Sequence, residues 1–212
     1  MAIGDEFKSS GITENTPKTI MLGAGTIHKG LAFTPAKSGG TGAWNFNESL
    51  ICATSGGSKL SITPEFYDVP VDGALVKIKG LTAKVGETAT LEINPVELTP
   101  EVLKMAVIGD SKTSTTATGY DEITSRSVIS AGDYISKLGY VGKTIEGKPI
   151  IIIFDNALCT SGFELEGKNK EAAVPKFTFE CFADLSRKLI HCRGIFIIPR
   201  RLRVTLDMIL EG

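Results

Sequence analysis

The sequence predicts a mainly β protein, a β-sandwich or barrel with one flanking α-helix at about 99–108. Three observations carry this reading. Short stretches alternate apolar and polar residues with a period of two, the spacing of strands with one buried face. Turn-forming residues recur between them. Only one segment combines helix-start and helix-stop signals with an apolar stripe. Roughly eight to ten short strands and one helix fit this architecture, and no internal repeat is visible.

Residues 1–18 are polar, end near Pro17, and lack the apolar residues to fold alone, so they read as an N-terminal arm. Residues 19–199 read as the β-domain. Residues 19–33 suggest one or two short strands broken by glycines. Residues 34–50 form a long loop rich in Gly, Ser and Thr that nevertheless carries Trp44 and Phe46. Loops of this length usually have a task, and those two aromatics are candidate assembly-interface residues. From 57 to 97, Leu60 and Ile62 alternate with Ser61 and Thr63, and Ala89, Leu91 and Ile93 share one strand face. Asp72-Gly73 signals a hairpin turn between two strands, and Pro95 a bulge or strand end.

Thr99 is a suitable N-cap, Pro100 suits the first helical position, and Glu101 complements the helix dipole. Val102, Leu103, Ala106 and Val107 make the apolar stripe, and Gly109 is placed to stop the helix. Residues 110–119 read as a flexible polar loop. Strands are expected at 133–141, 148–156, 162–167 and 174–183, the run Ile150 to Phe154 being a buried one. Gly194 to Pro199 is a further apolar run. Residues 200–212 form a C-terminal tail whose pattern fits strand and helix equally.

A chain of 212 residues buries roughly 70% of its unfolded surface and needs no metal or disulfide for a core. Net charge is −1, which argues against a general nucleic-acid binder. Cys52, Cys159, Cys181 and Cys192 form no CxxC pair and are expected as reduced thiols; with only His28 and His191 present, no metal site or cofactor is expected. No signal peptide and no membrane span are expected either.

No catalytic signature emerges. Gly142-Lys143-Thr144 lacks the earlier glycine of a phosphate loop, Lys137 standing there, and reads as a hairpin turn. Gly23 and Gly25 lack the third glycine of a dinucleotide fingerprint, His28 standing there, and read as strand bends. A Ser–His or Cys–His pair has no supporting motif, and Cys181 on a phenylalanine-rich strand reads as core. Glu164 and Glu166, expected on one strand face, read as a solvated pair beside Lys168 and Lys170. Arg200, Arg201 and Arg203 head the densest basic cluster; a phosphate site is conceivable there, but a solvated face or an intersubunit salt-bridge set with Asp207 and Glu211 fits better, which makes the three arginines further candidate interface residues.

Three stretches in order, 17–33 (PKTIMLGAGTIHKGLAF), 53–109 and 130–186 ending in KEAAVPKFTFECFAD and two further residues, resemble the major tail (tail tube) protein of long-tailed phages and prophages of Gram-positive bacteria. The match rests on order and extent rather than on one motif. The resemblance implies a virion structural protein, not an enzyme, assembled in the bacterial host cytoplasm. It implies hexameric rings of identical subunits that stack into a tube. Double-stranded DNA passes through that tube without sequence-specific binding, and a tape-measure protein is a further partner. It also implies that residues 1–18, 34–50 and 200–212 bridge subunits, and that the arginine cluster lies away from the lumen, where it would hold phosphates. Rival readings are a monomeric extracellular β-sandwich binding module, a small hydrolase with a scattered site, and another tail or secretion-tube component.

Overall fold

The computed structural model describes residues 11–14, 16–36, 42–184 and 194–198. The described residues hold first a one-turn helix α1 (Thr16–Thr19), then β1 (Thr26–His28), β2 (Phe33–Thr34), β3 (Ala43–Trp44) and a second one-turn helix α2 (Phe46–Ser49). It continues through β4 (Leu50–Cys52), β5 (Thr54–Asp68), β6 (Thr82–Pro95) and α3 (Pro100–Val107). Then follow β7 (Gly109–Thr113), β8 (Asp121–Ser125), β9 (Ile135–Lys143), β10 (Pro149–Cys159), β11 (Phe177–Cys181) and β12 (Gly194–Ile197). The protein is mainly β, and among the described residues α3 is the one helix longer than a single turn and flanks the sheet, as the sequence predicts.

One antiparallel eight-stranded sheet organises the molecule, in the order β4-β1-β9-β10-β11-β6-β5, with β12 also paired to β10. β9 occupies one edge of β10; β12 and β11 share the other, at Ile151–Phe154 and Ala157–Cys159 respectively. The main core lies on one face. Ala89, Leu91 and Ile93 of β6 meet Phe177, Phe179 and Cys181 of β11, and Val102, Ala106 and Met105 of α3 close over them. The expected alternation on β6 therefore holds, β11 alternates in the same way, and Pro95 ends its strand.

β10 is buried on both faces. Ile152 and Phe154 enter the main core, while Ile151 and Ile153 pack with Leu31 on the opposite face. That double burial is why Ile150 to Phe154 is unbroken by polar residues. The β9–β10 turn is the hairpin expected at Gly142-Lys143-Thr144: the Lys148 amide donates to Thr144 Oγ1 at 3.0 Å.

α3 starts as expected, with the Val102 amide donating to Thr99 Oγ1 at 3.3 Å. Thr99→Ala is expected to cost about 1 kcal/mol, read as a lower urea midpoint with an unchanged slope. The end of α3 differs from expectation. Ile108, not Gly109, takes the left-handed conformation, at φ 50 and ψ 63. Gly109 is needed for a different reason: a Cβ there would lie 2.5 Å from the Thr124 carbonyl oxygen. The left-handed cap thus falls on a β-branched side chain, which rarely tolerates positive φ.

Several expectations are corrected. Residues 110–113 are not loop but strand, paired as β7 with β8, because an exposed polar hairpin has no buried face to mark it. Residues 162–167 form no strand; Glu164 and Glu166 are exposed and Glu166 pairs with Lys168 at 3.6 Å. The long loop holds β3, paired with β2, and α2. Cys181 is disulfide-bonded, against the expectation of four reduced thiols, whereas Cys52 and Cys159 are free and buried. Burial, reinforced by Glu97, pushes the Cys52 thiol up to about 11.

Candidate assembly surface

β5 and β6 form an antiparallel pair of 15 and 14 residues. β11 flanks β6 only from Thr90 to Ile93. From the Ile62–Ala89 pair to the Asp68–Thr82 pair the hairpin continues as two strands alone among the described residues. Two unsupported strands are marginal in water. Asp68 tethers the end of the arm: Lys77 Nζ lies 2.6 Å from its carboxylate and the Thr82 hydroxyl donates to it at 2.6 Å. Lys77, then Thr82, holds the Asp68 carboxyl below its ordinary value. These groups are exposed, and such pairs contribute little to stability.

Apolar side chains fill the end of this arm. Phe66, Tyr67, Val69, Val71 and Ile78 are exposed, and Leu75 and Val76 project into solvent at 98% and 77% exposure. The connection is closed at its base by the Val69 amide donating to the Leu81 carbonyl at 2.8 Å. Asp72-Gly73 makes a turn there, with Gly73 at φ 84, but it sits inside this connection and not between two strands as expected. Exposed apolar side chains gathered at one end of an arm are the kind of surface on which interaction sites are built. Next to it, β5 has no second strand partner among the described residues, so it presents an open row of backbone donors and acceptors. Pro64, in the middle of β5, is at home only on such an edge.

The opposite face of β5, β6 and β11 is polar, with Lys59, Ser61, Thr63, Thr88, Thr90, Glu92, Thr178 and Glu180 alternating with the core residues. Glu92 lies 2.7 Å from Lys176 and 3.4 Å from Lys59, and these, Lys176 foremost, hold its carboxyl below the ordinary range.

The aromatics singled out in the long loop lie elsewhere. Trp44 and Phe46 are half-buried, stacked at 6.1 Å, and pack with Leu31, Ile151 and Ile153 on the second face of β10. The chain itself covers much of both rings. Arg200, Arg201 and Arg203 lie outside the described residues. The residues that sequence reasoning missed are Phe66, Tyr67, Leu75 and Val76. For Leu75 and Val76 a signal was present in the run Val69 to Ile78, whose apolar residues surround the Asp72-Gly73 turn.

One serine and histidine do meet. His28 Nδ1 lies 2.9 Å from Ser49 Oγ and Nε2 lies 2.8 Å from Thr26 Oγ1. Ser49 Oγ donates to the Asn45 carbonyl at 2.7 Å, so we assign the neutral Nδ1–H tautomer, with Thr26 donating to Nε2. Both residues are buried at the join of β1 and α2, and the geometry ties two elements together. Burial pushes the His28 imidazole below its ordinary value, partly offset by the Phe46 carbonyl. A folded value below the unfolded one stabilises above the unfolded value, about 6.5, and that contribution is lost as pH falls through the lowered folded value. The urea midpoint is therefore expected to drop from pH 7 to pH 5, and His28→Gln to flatten that drop. Parallel curves for the two proteins would contradict this role.

Among the described residues no helix is long and apolar enough to cross a membrane. The chain matches no protein-family model, and a search of curated proteins finds no match.

Proposed function

We propose that the chain is a self-assembling structural subunit of the phage tail-tube type. One observation carries the reading: the two-stranded β5–β6 arm ends in exposed apolar side chains beside an open strand edge. An open strand edge and exposed apolar side chains are both covered when another chain docks on them. Copies of the same chain satisfy both, the edge by strand pairing and the apolar end by burial. In this reading six copies close a ring and rings stack into a tube that conducts double-stranded DNA, with a tape-measure protein as a further partner, in the virion.

The polar face of β5, β6 and β11 is the wall that such a tube would turn toward its lumen. Its threonines and serines, with Glu92 and Glu180 against Lys59, give no basic excess to retain phosphates. Trp44 and Phe46 keep an interface role only through the parts of their rings left exposed. Negative-stain imaging of concentrated purified protein tests the reading. Annuli or hollow filaments are expected; uniform particles of single-chain size would sink it, and would favour a monomeric binding module.

A further inference from the structure

β6 connects two distinct surfaces. It starts at Thr82, beside the apolar end of the arm, and stops at Pro95, shortly before α3. Its 14 residues, at about 3.3 Å each, separate these surfaces by roughly 45 Å. At the α3 end a cleft of ≈ 400 Å³ opens between the helix and the turn leading into β9. Met105, Ile108, Tyr134 and Ile135 supply its apolar lining. Ile108 lines this cleft in its left-handed conformation, and strained backbone of this sort gathers at binding sites.

Both surfaces carry mixed charge: Asp133, which also lines the cleft, pairs with Arg126, while on the projection Lys77 pairs with Asp68 and Lys79, nearer its base, is in no ion pair among the described residues. Lys29 at the cleft is neutralised by Glu101 at 2.6 Å. Lys104, which also lines it, is in no ion pair among the described residues. At the other end, Asp72 lies between exposed Val71 and the projecting Leu75 and is likewise in no ion pair among the described residues.

Projection and cleft cannot meet within one chain, but they can meet between copies. We infer that the Leu75–Val76 end of one copy seats in the α3 cleft of a second copy, with Asp72 beside Lys104, so that copies join head to tail along the β6 direction. A contact between two different surfaces leaves each copy with one free projection and one free cleft, so it propagates. The inference rests on the self-assembly reading and names the surfaces that stack.

Trapping by disulfide tests it. One preparation carries Leu75→Cys and another Lys104→Cys, and the two are mixed at assembling concentration under mild oxidation. A covalent dimer joined through a 75–104 peptide link, identified by mass spectrometry, is expected; each variant alone should give none. The native free thiols Cys52 and Cys159 are buried and do not compete. Assemblies that form in negative stain but show no link, or show only a 75–75 link, would overturn this contact and leave the self-assembly reading intact. Failure of the unmodified chain to assemble would overturn both. A charge swap gives a second readout: Asp72→Lys is expected to weaken assembly at least tenfold, and adding Lys104→Asp to restore it.

Discussion

Replacing Leu75 and Val76 together by aspartate is expected to abolish self-association while leaving the fold intact. Both side chains are solvated in the single chain, so folding loses nothing when they become polar; surface changes of this kind usually stay within about 0.5 kcal/mol of neutral. In the proposed assembly the same side chains are buried, and each contributes roughly 1.5–3 kcal/mol. Losing two, with carboxylates in their place, is expected to weaken association by roughly a thousand-fold, or about 4 kcal/mol. Light scattering against concentration measures the association, and urea unfolding of the dilute protein checks the fold. A variant that assembles like the parent would remove the arm from the interface. A variant that unfolds would mean that the arm belongs to the core.

Phe179→Ala is expected to produce the opposite pattern. Phe179 is fully buried on β11, opposite Leu91 of β6 and Cys159 of β10. Removing its ring deletes apolar contact and leaves a cavity that three strands cannot close, at about 3–5 kcal/mol. Domains are stable by only about 5–15 kcal/mol in total. The urea midpoint should therefore fall far enough that part of the protein is unfolded at 37 °C. A midpoint within a few tenths of a molar of the parent would show that β11 is not the seam of the core.

What was legible in the sequence was local. The cap at Thr99, the alternation of Ala89, Leu91 and Ile93, and the two-faced burial behind Ile150 to Phe154 each leave a mark within a few residues of chain. What was missed depends on distant partners or on their absence. The arm was read as a short hairpin because Asp72-Gly73 between alternating apolar residues is what a tight turn looks like. Nothing local shows that the paired strands stop at Asp68 and Thr82. β7 went unseen because both its faces are wet. Trp44 and Phe46 were assigned to a neighbour because Ile151 and Ile153, which cover them, lie far along the chain. Glu164 and Glu166 alternate correctly for a strand, but their segment pairs with no strand among the described residues.

In the proposed function the exposed apolar end and the open sheet edge are covered by copies of the same chain. Sedimentation velocity of the unmodified protein over a hundred-fold concentration range asks this directly. A self-assembling subunit should sediment as species that grow with concentration, well beyond the 22.6 kDa of one chain. A single boundary of one-chain mass at every concentration would contradict it.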